Sequence, residues 1–460
     1  MNILLVKPYN ISDHIQPPLG LGYLATAVRK NHKVQLLDCI KMGIKQGDFT
    51  SYLDRDNYDA VGFQCYTYDL PVLKPLLEMC KKRGMLTLVG GPHPSAVPEE
   101  TMAYFGKDLD YCFQGEAETG LPMLLDSIEW KKESDKRGIP GLVWREKGRV
   151  IVNEKDYVDK LDDLGTPAWD LIRPQEYPEA QHGAFFKNFP IAPIVVTRGC
   201  PYACTFCAGN LISGRKCRKR SPKAVVEEIK TLYDKYGIRE IHVIDDNFTL
   251  DKNFAKEVLK LIKESNLEIS WAVPNGIRME SLDDELLRLM KQTGLYLVSL
   301  GIESGSDRIL ELMKKKTTTS FIEKTIRRIR SFGIDVAGFF IIGFPGETLS
   351  DIEKTIKFSL RLDLIRANYF TYLPFPGTES YESIKREEGL DKVNWDKFLF
   401  FGASYSPKGI DATFLRALQK KAFLKFYLRP VIFWRNIIQI KSFRHFKFLC
   451  KRFFNWILKK

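Results

Sequence analysis

Thr197-Arg198-Gly199-Cys200-Pro201-Tyr202-Ala203-Cys204-Thr205-Phe206-Cys207-Ala208 is the stretch on which the reading of this chain turns. Its cysteines are spaced C-x3-C-x2-C, and Gly199 and Pro201 shape the loop around the first of them. Three thiolates within eight residues wrap one face of a cubane iron–sulfur cluster. A [4Fe–4S] cluster held by Cys200, Cys204 and Cys207 keeps one iron open to bind another molecule. A structural zinc site needs a fourth ligand in tetrahedral geometry. The nearest candidate is Cys217, in the basic run Arg215-Lys216-Cys217-Arg218-Lys219-Arg220. Zinc, or cysteines that merely pack, are the alternatives to the cluster.

The loop follows an apolar run, Ile194–Thr197, and strand and helix signals alternate from there to about residue 380. Strands are expected at Ile194–Thr197, Glu240–Ile244, Glu268–Ala272, Tyr296–Gly301, Val336–Ile342 and Ala367–Leu373. Amphipathic helices are expected between them at Ser221–Tyr236, Lys252–Ser265, Leu282–Thr293, Thr319–Phe332 and Leu349–Leu360. Ser221-Pro222 reads as an N-cap followed by proline at the first helical position. Six βα units predict a partial barrel over 191–385, with its chemistry at the strand C-termini.

Upstream, residues 1–135 alternate in the same way, with strands at Ile3–Val6, Val34–Leu37, Ala60–Phe63 and Thr87–Val89 and a helix at Leu73–Arg83. This predicts a Rossmann-like parallel sheet that binds ligands beyond its strand C-termini. Three Gly/Pro-rich loops fall there: Pro17-Pro18-Leu19-Gly20-Leu21-Gly22, Gly90-Gly91-Pro92-His93-Pro94 and Gly115-Glu116-Ala117-Glu118. Glycine lets a backbone approach a large ligand closely, although ordinary turns use the same residues. Residues 136–190, entered through the charged run Lys131–Arg137, read as a linker carrying a hairpin at Gly141–Ile151. The fold class is therefore α/β: a Rossmann-like domain, a partial (β/α)6 barrel, and a basic helical C-terminal region over 386–460.

Composition supports a globular chain, with 44% apolar residues over 460 positions. Nine scattered cysteines, and a Met1 that leads straight into Ile3–Val6 without a signal-like segment, point to a reducing cytosolic setting. The net charge of +13 is not global. Residues 411–460 hold thirteen Lys or Arg, one acid and twelve aromatics, a net of +12. Basic helices with aromatic faces lie at anionic lipid headgroups. A nucleic-acid surface and a helix that simply closes the barrel are the competing readings. A membrane-surface role suggests a peripheral protein at the inner membrane face and a lipid or isoprenoid-like substrate.

The cysteine loop and the strand-end motifs together resemble the radical SAM superfamily across about 190–380. That resemblance implies a [4Fe–4S] cluster that binds and cleaves S-adenosylmethionine (SAM) to a 5′-deoxyadenosyl radical, with electrons from an external donor. It places Phe206 against adenine, and Asp245 and Asp246 of Ile244–Phe248 near the methionyl amino group. It includes Asn275 and Arg278 after the third strand, makes Glu303 of Gly301–Ser306 a ribose contact, and places Gly343 and Pro345 of Gly343–Thr348 near adenine and the methionyl group. Pro374–Thr378 ends the sixth strand. The front loops resemble the cobalamin-binding branch of the family, implying corrin contacts at Leu19, Gly20, Gly22, Gly90, Gly91, Pro92, His93, Gly115 and Glu116. No D-x-H-x-x-G motif is present, so no lower cobalt ligand is assigned, and His93 is expected beside the corrin. The resemblance implies cobalamin-dependent methylation of an unactivated carbon. A radical cyclase or carbon–carbon coupling enzyme, and more remotely a zinc-stabilised nucleic-acid-binding protein, are the other readings.

Overall fold

The computed structural model describes residues 1–10, 15–130, 136–179, 185–394, 398–399 and 402–458. It divides into two compact units. The first holds Met1–Pro174 with the short stretches Arg198–Pro201 and Ala208–Arg220, and the second holds the rest.

The first unit is built on a seven-stranded sheet of β1 (Asn2–Lys7), β2 (Lys33–Asp38), β3 (Ala60–Gln64), β4 (Leu86–Gly90), β5 (Tyr111–Phe113), β6 (Leu142–Glu146) and β7 (Arg149–Val152), in the order β2-β1-β3-β4-β5-β6-β7. The first five strands run parallel. Parallel strands covered by helices on both faces read as unbroken apolar runs, and Ile3-Leu4-Leu5-Val6 is one. Ile3 and Leu5 pack with Leu21, Ala25 and Leu124 on one face, while Leu4 and Val6 pack with Leu73, Leu77 and Met102 on the other.

The expected hairpin forms, but it is no linker. β6 pairs antiparallel with β5 and β7 with β6, through a two-residue turn in which Lys147 and Gly148 both have positive φ. Val143 joins one core and Trp144 the other, so the run Leu142–Trp144 is held by burial on both faces. The unit accordingly continues to Pro174 rather than ending near 135. Five residues of the charged run, 131–135, lie outside the described residues.

The second unit carries six parallel strands, β8 (Ile191–Ile194), β11 (Glu240–Val243), β12 (Ser270–Ile277), β13 (Leu295–Glu303), β14 (Asp335–Ile342) and β15 (Arg366–Thr371), paired in chain order. A two-stranded ribbon, β9 (Thr197–Arg198) with β10 (Arg218–Lys219), accounts for the intervening numbers. β8 and β15 are the two edges, so the barrel is open. Its helices start where side-chain oxygens cap backbone amides: Ser221 at Ala224, Asp251 at Phe254, Asp283 at Leu286, Thr318 at Phe321 and Thr348 at Asp351. β8 ends three residues earlier than expected, because the amides of Val196 and Thr197 bond to a carboxylate rather than to a neighbouring strand. Three helices, Ala412–Tyr427, Pro430–Ile438 and Phe443–Leu458, form the C-terminal region. Among the described residues no helix is long and apolar enough to cross a membrane.

Candidate active site

The cysteine loop leaves the ribbon strand β9 and is secured at both ends by buried charge. At its start, in the first unit, the Arg198 guanidinium lies 2.8 Å from Glu118 and 3.3 Å from Glu116, and 4.7 Å over the Tyr23 ring. Arg218 grips Glu116 with two hydrogen bonds, at 2.6 and 2.8 Å. Neither arginine stood out in the sequence, where Arg218 belongs to a basic run that reads as solvated surface; its side chain is almost wholly buried. Glu116, expected at the corrin, instead holds the two arginines that flank the loop. Gly199 has φ +90, and a Cβ there would lie 2.2 Å from the Lys216 carbonyl oxygen, so only glycine fits. The amide of Cys200 then donates to the Gly214 carbonyl at 3.2 Å.

In the second unit, the amide of Cys207 donates to the Cys204 carbonyl at 3.1 Å, closing a turn. Thr205 is tied to Met313 through its amide and to Ser380 through its carbonyl. Arg278, at the end of β12, donates to the Cys204 sulfur at 3.8 Å and lies 4.0 Å over the Tyr202 ring. Glu280 and the Lys315 carbonyl hold that guanidinium in place. The buried Lys315 ammonium donates to Glu303 at 2.7 Å and sits 5.9 Å from the Phe206 ring centroid. Burial opposes its charge, but the Glu303 carboxylate prevails and keeps the lysine above its ordinary range. Glu303 itself has φ +62, a left-handed backbone that costs a non-glycine residue roughly 1–3 kcal/mol and that clusters at functional sites. Phe206, Arg278 and Glu303 are thus gathered around Lys315, which lies between Phe206 and Glu303. Lys315 escaped notice because Lys314-Lys315-Lys316 reads as a solvated run.

The remaining barrel residues that the resemblance pointed to lie near or just beyond strand ends. Asp245 is fully buried and accepts from the Val196 amide, the Thr197 amide and the Thr197 hydroxyl at 2.7–2.8 Å. Burial pushes its carboxyl up to about 7. It sets the backbone that leads into the cysteine loop, so its acceptors are taken up by the chain itself. Asp246 and Asn275 are exposed, and Asn275 donates to the Ile244 carbonyl. Gly343 has φ +80, a backbone that favours glycine, and a Cβ there would meet the Leu415 side chain of the C-terminal helix. The Glu347 carboxylate accepts from the Gly343 and Phe344 amides and closes the turn around Pro345. Burial pushes Glu347 up to about 8.

The cysteines separate into two chemical groups. Cys39, Cys80 and Cys112 are buried, and burial pushes their thiols up to about 12; they pack as protonated thiols. Cys200 and Cys204 are partly exposed and Cys207 is exposed. This set fits an iron–sulfur cluster in donor type and access, with a cation already directed at one sulfur. Among the described residues no three His, Cys, Asp or Glu side chains converge as the ligands of an ion do, with or without Cys217.

The front sheet reverses its order at the β1/β3 junction, where open α/β sheets take ligands. Beyond it, Tyr66 and Tyr68 stack at 5.3 Å and 6°, and Tyr66 remains 36% exposed. That flat aromatic ledge suits a planar macrocycle. His93 is buried with its Nδ1 3.1 Å from the Thr67 hydroxyl, and burial pushes it down to about 4, leaving a neutral imidazole. Gly91, at φ +114, would press a Cβ on the Cys65 backbone at 3.1 Å. Gly90 ends β4, and Pro92 starts the short helix Pro92–Ala96. Ser95 of that helix accepts the Gly115 amide at 2.8 Å. Leu19, Gly20 and Gly22 form no loop: they open the helix Leu19–Val28, where Gly22 packs against Pro167 and Ile172 and Leu19 is buried, while Gly20 is exposed.

Comparison with known proteins agrees with this layout. A model of the radical SAM superfamily matches residues 194–359, and one of the B12 binding domain matches residues 12–125. The whole chain aligns with 98% of an uncharacterized methyltransferase of Pyrococcus horikoshii at 32% identity. The chain belongs to the radical SAM superfamily. Within it, cytidylyl-2-hydroxyethylphosphonate methyltransferase of Streptomyces wedmorensis is 28% identical over 81% of this chain and 79% of its own. The cobalamin-dependent radical enzyme OxsB, solved with aqua-cobalamin and SAM bound, superposes with a TM-score of 0.75 over 98% of this chain and 70% of its own, at 17% identity. TsrM of Kitasatospora setae, solved with cobalamin and a [4Fe–4S] cluster, gives 0.68 over 94% of this chain and 86% of its own, at 19% identity. These two likenesses show a shared fold: a radical SAM barrel preceded by a B12-binding domain.

Proposed function

We propose that this radical SAM enzyme methylates an unactivated carbon of a small organic molecule, with a [4Fe–4S] cluster on Cys200, Cys204 and Cys207, SAM, and cobalamin at the front sheet. When bound, these groups supply a 5′-deoxyadenosyl radical and a transferable methyl group. The observation that carries the reading is the C-x3-C-x2-C loop with Arg278 aimed at the Cys204 sulfur. Arg278 and Lys315 place positive charge beside one cluster ligand, and Glu303 and Phe206 supply an acceptor and an aromatic face for a nucleoside. The Tyr66–Tyr68 ledge receives the corrin, with neutral His93 beside it rather than bound to cobalt.

A lipid or isoprenoid-like substrate belongs to this proposal, as do an external electron donor and peripheral association with a membrane. Hopanoid C-3 methylase of Methylococcus capsulatus, 25% identical over 80% of this chain and 69% of its own, supports that substrate class. A radical cyclase is the second reading, because an anaerobic magnesium-protoporphyrin IX monomethyl ester cyclase of Cereibacter sphaeroides is 23% identical over 95% of this chain. Anaerobically reconstituted protein, given methyl-labelled SAM, a reductant and lipid extract, separates them. Iron, corrin absorbance and label in a lipid product are expected. 5′-Deoxyadenosine without labelled product favours the cyclase, and a colourless zinc protein overturns both.

A further inference from the structure

The C-terminal helices hold the most concentrated apolar exposure in the described chain. Nine of its twenty exposed large apolar side chains lie between Leu428 and Phe454, with Phe443 at 81%, Ile438 at 77% and Leu428 at 67%. Residues 412–460 contain thirteen Lys or Arg and no acid, and Lys441, Arg444 and Lys447 are exposed among those apolar groups.

The helix Ala412–Tyr427 is structural. Its Leu415 abuts Gly343 beyond β14, Gln419 donates to the Tyr369 carbonyl midway along β15, and the Tyr427 hydroxyl meets the Ala367 backbone near the start of β15. It therefore runs down the edge strand from the C-terminal end of the strands to their N-terminal end. Phe414 and Leu424 are exposed on this helix, and beyond it the apolar exposure becomes dense. Arg429 donates to the Leu360 carbonyl at 2.7 Å, Arg435 pairs with Asp363 at 3.5 Å, Arg366 donates to Gln439 at 3.0 Å, and buried His445 packs on Phe186. Each partner lies at the end of a barrel helix, at the start of a strand, or just before β8. Cys204 and Phe206, together with Thr205 bonded to Ser380, belong to the opposite end.

We propose that helices Pro430–Ile438 and Phe443–Leu458 form an interfacial anchor for an anionic lipid surface, set at the strand N-terminal end of the barrel so that the reactive end points away from the bilayer. Exposed apolar groups set among Lys441, Arg444 and Lys447, in a segment (412–460) that contributes no acid, with no helix among the described residues long and apolar enough to cross a membrane, are the pattern of helices lying in the headgroup region. Four of the nine exposed groups, Leu428, Val431, Ile437 and Ile438, are aliphatic and suit acyl chains but offer no ring for base stacking, and the five aromatics beside them belong equally to the apolar face of an interfacial helix. The anchor is thus separate from the reaction site, and the substrate does not enter through it.

Full-length protein is tested by flotation with vesicles of phosphatidylcholine alone and of phosphatidylcholine mixed with phosphatidylglycerol, at low and high salt. Partitioning is expected to favour the anionic vesicles by at least about tenfold and to fall with salt. The exposed pair Trp434→Glu and Ile438→Glu should lower it by about tenfold or more, with iron content and melting temperature unchanged. The charge variant Lys441→Glu, Arg444→Glu, Lys447→Glu should lose the anionic preference. No excess binding by wild type at low salt overturns the proposal, as does undiminished binding by both variants. Displacement from vesicles by a single-stranded oligonucleotide that binds more tightly also overturns it, in favour of a nucleic-acid surface. Self-association that the double variant abolishes, without vesicle binding, overturns it in favour of a protein contact. The readout needs no turnover, so it stands or falls apart from methyl transfer.

Discussion

Replacing Gly199 by alanine tests whether the loop backbone positions the cluster ligands. The residue sits at φ +90, and a left-handed backbone costs an L-residue roughly 1–2 kcal/mol. The new Cβ lies 2.2 Å from the Lys216 carbonyl oxygen and 3.0 Å from that of Ser213. Both are backbone atoms, so no side chain can swing aside. Opening the first contact from 2.2 Å to at least 3.0 Å shifts either residues 213–216 or the chain entering Cys200. The hydrogen bond from the Cys200 amide to the Gly214 carbonyl spans that same gap, and losing it adds about 1 kcal/mol. The total, about 2–3 kcal/mol, leaves a domain of ordinary stability folded. Metal–thiolate geometry tolerates displacements of only about 0.2 Å, so the cluster suffers more than the fold. Iron and sulfide content after anaerobic reconstitution, read beside a thermal melt, should show sharply reduced iron in a protein that still melts cooperatively. Full iron content at an unchanged melting temperature would refute the reasoning.

The Arg198–Glu116–Arg218 cluster predicts that Glu116→Gln leaves the buried Arg218 guanidinium without its carboxylate, while Arg198 keeps Glu118, and destabilises the first unit by about 3–5 kcal/mol; a urea midpoint equal to that of wild type contradicts this. Replacing Gly91 with leucine should weaken hydroxocobalamin binding and leave iron content intact, because the side chain meets the Cys65 backbone beside the Tyr66–Tyr68 ledge; equal affinity in a spectroscopic titration removes the corrin assignment. In the second unit, burial raises Asp245 to about 7 and Glu347 to about 8. The folded state therefore holds protons that the unfolded state has released, and stability falls as pH rises from about 4 towards 8. Urea midpoints at pH 6 and pH 8 should show that decline, shallower in Glu347→Gln, and a rising profile would contradict the burial argument.

The sequence by itself determined the cysteine loop, the strand–helix alternation and the family. Each is local: thiol spacing, the apolar runs of β1 and β3, and the Ser221 cap are readable within a few residues. The family resemblance pointed to Phe206 in the cysteine loop and to Arg278 and Glu303 at strand ends, because those motifs are short and contiguous. Only the tertiary structure decided which charges are buried. Arg218 and Lys315 each lie in a run of cations that reads as solvated, and burial depends on distant partners, Glu116 and Glu303. It turned Asp245 from an expected SAM contact into a backbone clamp, because Val196 and Thr197 present their amides to it across two strands. It made a linker hairpin into two strands of the first sheet, because only the folded chain offers β5 an open edge. It also resolved the basic C-terminal region into a structural helix along β15 and an exposed apolar surface beyond it, a division set by which face the barrel covers, and charge and aromatic content carry no record of that face.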